Sequence, residues 1–127
     1  MSNVRRHMNP RSPLLACLLS SLAAVAMASQ NCESIEAAAL KSAARIPGNA
    51  SGYTVVGKGR LPFFSAPEVG CKLNGVFILP GGRVNAYLVS SGYVLVMYQN
   101  TKTGSEANGW VLQSRLEANG YGIAPKQ

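Results

Sequence analysis

The spacing of apolar positions changes near residue 50, from a helical rhythm to one of strands. Before it, Ile35, Ala39, Ala43 and Ile46 recur at i, i+4, i+8 and i+11, one thin apolar face of a helix. The pattern predicts a helix over 31–49. Asn31 or Ser34 serves as its N-cap, Glu33 and Glu36 lie near its positive end, and Lys41 and Arg45 near its negative end. Pro47-Gly48 stops it. Small alanines on the packing face imply close approach to whatever lies beneath.

From Tyr53 the chain breaks into short apolar runs separated by turn residues. Strands are expected at 53–58, 60–67, 76–80, 83–91, 92–100 and 110–116. Pro62 marks the second as an edge or a bulge. Residues 68–75 read as loop, Pro80-Gly81-Gly82 and Ser90-Ser91-Gly92 as turns, and 101–109 as a polar hairpin connection. Short strands with turns every eight to twelve residues predict a mainly β chain, a small barrel or sandwich.

The first 28 residues stand apart. Arg5, Arg6 and Arg11 precede an uncharged apolar run, 13–28, that ends in Ala26-Met27-Ala28, the small-x-small pattern of a signal-peptidase site. The division expected is a signal peptide at 1–28, a helix and linker at 29–52 and a β domain at 53–127. The mature chain would be periplasmic or secreted, with no stable membrane anchor. Its charge falls below the +7 of the full chain, because nine Lys/Arg then face five Glu, leaving about +4. These cations are scattered rather than clustered, which argues against nucleic acid and leaves an anionic envelope component or acidic protein as partner. With Cys17 removed, Cys32 and Cys71 form an even pair in an oxidising compartment, and a disulfide is expected.

Three stretches in order, "GRLPFFSAP", "VFILPGGRVNAYLVSSGYVLVMY" and "GWVLQSRL", resemble the bacterial SH3-like domain over residues 60–116. Ser65-Ala66-Pro67, Gly81-Gly82, Val84, Gly92-Tyr93, Gly109-Trp110-Val111 and Leu116 stand at the family's marker positions, although Tyr93 replaces the usual tryptophan. The resemblance implies a five- to six-stranded SH3-like barrel, here with an added N-terminal helix and one disulfide staple. It implies a binding module of the cell envelope. It also implies that Trp110 and Val111 pack at the closing strand, with Leu116 plugging the barrel end after a helical turn.

Aligned on that family, Val94, Val96 and Tyr98 point into the barrel, and alternation sends Tyr93, Leu95 and Met97 outward. Both faces of this strand are then apolar, so something covers the outer one. Two covers are open: the chain's own helix, held by Cys32, or a partner protein or second copy. On the second reading Tyr93, Leu95 and Met97 are partner-binding residues, and Arg60, Lys72, Arg83 and Lys102 form a basic rim around them.

Catalysis is disfavoured by inventory. The one histidine is His7, inside the expected signal, and the chain has no aspartate. Ser-His-Asp, Cys-His and histidine-ligated metal chemistry therefore lack their parts. Glu68, Glu106 and Glu117 are the carboxylates left for a glycosidase-like pair, and each reads as a solvated charge. The expectation is a non-enzymatic binding protein without a cofactor. Its partner would be a peptidoglycan-directed enzyme or toxin, neutralised in the manner of an immunity protein or inhibitor. The alternative is a module that binds peptidoglycan or peptide directly.

Overall fold

A computed structural model describes residues 31–123, so the expected signal segment lies outside the described residues. A helix, α1 (31–42), precedes eight strands: β1 (Ala44–Arg45), β2 (Gly52–Val55), β3 (Leu61–Phe64), β4 (Lys72–Ile78), β5 (Arg83–Ser90), β6 (Tyr93–Gln99), β7 (Glu106–Leu112) and β8 (Leu116–Ala118). They form one antiparallel sheet in the order β4-β3-β7-β6-β5-β2-β8, with β1 paired to β5 beyond the end of β2. The sheet curls into a half-barrel. It stays open, with β4 and β8 as its two edges.

The helix is shorter than its sequence pattern. It ends at residue 42, and Ala44 and Arg45 are extended opposite Val89 and Leu88. A residue before proline avoids the helical region, which releases Ile46 ahead of Pro47. Its N–H donates to the Tyr87 carbonyl at 2.9 Å, and its side chain packs on the barrel core instead of continuing the helical stripe. Residues 68–75 also differ from the expected loop: Val69–Cys71 form a 3-10 turn and β4 begins at Lys72. The final strand expected at 110–116 is instead the second half of β7, a 3-10 turn at Gln113–Arg115 and the start of β8.

The turn between β5 and β6 shows local sequence choosing geometry. Ser91 and Gly92 both have positive φ, 52° and 79°, as the tightest antiparallel hairpins require. That turn sets β6 against β5 in the register Val89↔Val94 and Ser90↔Tyr93. Farther along, Ala86 faces Val96 while Leu88 faces Leu95, so Tyr87 is the extra residue of a bulge.

Two apolar layers result. Val55, Leu61, Phe63, Ile78, Val94, Val96 and Val111 fill the concave side and are essentially dry. Leu116 and Tyr98 pack at its margin, half-buried. Gly109 belongs here for a steric reason: a Cβ at this position would stand 3.0 Å from the Phe63 ring. The convex side carries Phe64, Tyr93 and Trp110, with Leu88, Leu95 and Leu112 beside them, and Ala39 of α1 and Ala43 just after it lie over it. A disulfide joins Cys32 on α1 to Cys71 ahead of β4, with Cα atoms 5.8 Å apart, and fixes the helix across the sheet.

Trp110 is therefore buried, but not at a closing strand. β7 lies in the middle of the sheet, between β3 and β6, and the ring belongs to the layer under the helix.

Candidate functional site

The outer face of β6 is occupied from within the chain. Tyr93 is 9% exposed, Leu95 and Met97 are half-buried, and α1 supplies the cover over the first two. Only Met97 lies toward the uncovered end, with the Tyr87 hydroxyl 4.0 Å from its sulfur. Of the two covers open from the sequence, the helix is the one seen over Tyr93 and Leu95, so the three do not form one fully exposed apolar patch.

The cations go elsewhere as well. Arg60, Lys72, Arg83 and Lys102 do not ring the outer face of β6; they surround β4, the sheet edge distant from β8. Two clefts flank that strand. The smaller, about 210 Å³, is lined by Arg60 and Lys72 together with Pro62 and Leu73. The larger, about 870 Å³, lies among β4, the 79–83 turn and the β6–β7 hairpin, and takes in Arg83 and Lys102. Gly75, Val76 and Phe77 line both, so β4 is the ridge between them.

Local packing arranges these groups. The Arg60 guanidinium stacks over the Phe77 ring at 4.2 Å, a cation–π contact that holds it beside β4. The contact follows from strand pairing, since Pro62 faces Phe77 across the β3–β4 ladder. Arg83 faces the Tyr121 ring at 5.6 Å. Lys102 rides on a hairpin tip ordered by its own side chains. Asn100 Oδ1 accepts from the backbone N–H groups of Lys102 and Thr103 at 3.0 and 3.3 Å, and the Thr103 and Ser105 hydroxyls are 2.8 Å apart. The Lys102 side chain itself is exposed.

The larger cleft is amphipathic. Tyr98, Ala107 and Phe77 give it apolar surface, and Val76 and Leu79 are exposed at its margin. Glu106 is the one acidic residue in the lining of either cleft. The sequence marks Arg60, Lys72, Arg83 and Lys102 but not Phe77, Leu79 or the cleft role of Tyr98. No local signal marks these, because the bulged β3–β4 ladder and the curl of the sheet bring them together.

Elsewhere, polar groups are engaged in holding the fold. Arg115 donates to the carbonyls of Val56 and Gly59 and pins the 57–59 turn. Glu68 accepts from the Gly70 N–H at 3.1 Å and caps the 3-10 turn before Cys71. Glu106 sits on β7 and Glu117 on β8, with three strands between them in the sheet order, so these glutamates do not converge on one site. Among the described residues no three His, Cys, Asp or Glu side chains are placed to hold a metal ion, and no helix is long and apolar enough to cross a membrane. Comparison with protein-family models, with curated proteins and with solved structures gave no match.

Proposed function

We propose that this chain is a secreted, non-catalytic binding protein of the cell envelope that holds and neutralises a peptidoglycan-directed enzyme. It would act as an immunity protein or inhibitor does. The observation that carries the reading is the pair of clefts beside β4, where four cations border apolar and aromatic surface with one carboxylate among them. Such a surface suits a protein partner with an acidic face, and charge complementarity of this kind steers encounter and selects the partner. The resemblance of residues 60–116 to bacterial SH3-like domains, which serve as envelope binding modules, supports a binding role. So does the amino-acid inventory, which offers neither an aspartate nor a histidine outside the first residues.

The test is capture of envelope proteins by the tagged protein, followed by assay of any captured wall hydrolase with and without it. Retention and inhibition of a hydrolase is the expected result. If no such enzyme is retained, or if a retained one works undiminished, the reading is wrong. The same cations would also meet peptidoglycan carboxylates, which is the second reading. Salt-sensitive co-sedimentation with purified sacculi, without inhibition of any hydrolase, would favour it instead.

A further inference from the structure

We infer that the ligand of the β4 clefts is an extended acidic segment of a protein, laid along the edge strand with carboxylates on both sides of an apolar side chain. The inference rests on the proposed binding role and specifies what is bound.

Three observations converge on it. First, among the described residues β4 has a strand neighbour on one side only, β3, and its other edge carries no partner strand. An open edge is where extended chains dock, with backbone hydrogen bonds giving affinity and side-chain pockets giving selectivity.

Second, the charges are divided by the ridge. Arg60 and Lys72 border the cleft on one side, Arg83 and Lys102 the cleft on the other. A compact anion would engage one pair. A ligand that uses both must reach both sides of Gly75–Phe77, and an extended chain lying alongside does so by sending successive side chains to opposite faces. Arg60 is already oriented by its stack on Phe77, and the Lys102 backbone is already fixed by Asn100, so less ordering cost remains on binding.

Third, the larger cleft has apolar surface between its charges. Val76 is 37% exposed and Leu79 is 59% exposed, above the Tyr98 and Ala107 lining. Exposed apolar side chains within a basic rim call for an aliphatic or aromatic group on the ligand, flanked by acids.

The experiment titrates the purified ¹⁵N-labelled protein with a synthetic peptide of glutamates around a central leucine. Parallel titrations use a lysine-for-glutamate peptide and a glycine-for-leucine peptide. Amide shifts at Gly75, Val76, Phe77 and Lys102 are expected with the acidic peptide and not with the basic one. Arg60→Gln with Lys72→Gln, and separately Lys102→Gln, should each weaken binding about tenfold, and loss of the leucine by a similar factor. Unchanged thermal unfolding of the variants keeps the comparison valid; Lys102→Gln, on an exposed tip, serves alone if the Arg60 variant unfolds.

Equal response to acidic and basic peptides overturns the inference, as do shifts confined to α1 or to the β8 edge. The two readings fail separately. Peptide binding at β4 without capture of any hydrolase defeats the proposed function and leaves this inference standing. Capture of a hydrolase equally well by the wild type and the Arg60/Lys72 variant defeats this inference and leaves the function standing.

Discussion

The ring of Tyr93 meets the ring of Phe64 edge-on, with centroids 5.1 Å apart and planes inclined at 75°. The pair bridges β6 and β3, strands separated in the sheet by β7, and it lies in the layer beneath Ala39 of the helix. Edge-to-face contact is the geometry aromatic pairs favour. It converts a strand with two apolar faces into the middle of a sandwich whose second slice is the chain's own helix.

Breaking that layer should be costly. Tyr93→Ala removes most of the pair and leaves a cavity under Ala39, and is expected to cost about 3 kcal/mol. Ala39→Leu should also destabilise, by about 1–3 kcal/mol, because Ala39 is buried against Phe64, Tyr93 and Trp110. Urea unfolding of both variants checks this. A neutral Ala39→Leu would mean that the helix is not closely seated.

Trp110 offers a sharper case. It is fully buried and its indole Nε1–H has no hydrogen-bond partner among the described residues. Trp110→Ala should cost about 3–5 kcal/mol. Trp110→Phe should cost far less than the alanine variant, since it keeps most of the packing and sheds a buried donor whose isolation costs about 1–3 kcal/mol. Equilibrium unfolding of the two variants checks this; equal losses would show that the ring packing retained by phenylalanine contributes nothing.

The Cys32–Cys71 bridge closes a loop of 39 residues. Replacing both cysteines by alanine should lower stability by about 4 kcal/mol on the chain-entropy account. It should do so without altering the β4 clefts, whose charged residues are held by the sheet and hairpin. Unfolding measured with and without reductant, beside peptide binding, distinguishes loss of stability from loss of site.

Arg115 should separate fold from function in the same way. Arg115→Met removes two hydrogen bonds to the 56–59 backbone and is expected to cost about 2 kcal/mol while leaving binding at β4 unchanged. A binding defect in a folded variant would place the 57–59 turn inside the site.

Affinity at the clefts should fall with added salt, because the cations are exposed and screening lengths shrink to about 10 Å at 0.1 M. Glu106→Gln, which removes the lone carboxylate of the lining, should strengthen binding of an acidic ligand by a few-fold. Isothermal titration across a salt series tests both. A salt-independent affinity would point to the apolar margin alone.

Much of this was legible in the chain itself. Alternation fixed β5 and β6 nearly to the residue, because a tight Ser-Gly turn and a two-residue period leave little choice. The presence of a helix ahead of a strand-rich body and the cysteine pairing also follow from local chemistry and from a count of two cysteines. Where the helix ends did not follow, since Ile46 fits its periodicity yet gains more by packing on the barrel core. Sequence alone also separated an apolar group, Tyr93, Leu95 and Met97, from a basic group, Arg60, Lys72 and Lys102, but set both around one strand. The tertiary structure divided them between opposite parts of the sheet. Strand order and curl are long-range properties, decided by which surfaces can be buried together. Packing of Tyr93 and Leu95 under α1 leaves the basic residues around the edge at β4, where Arg60 meets Phe77.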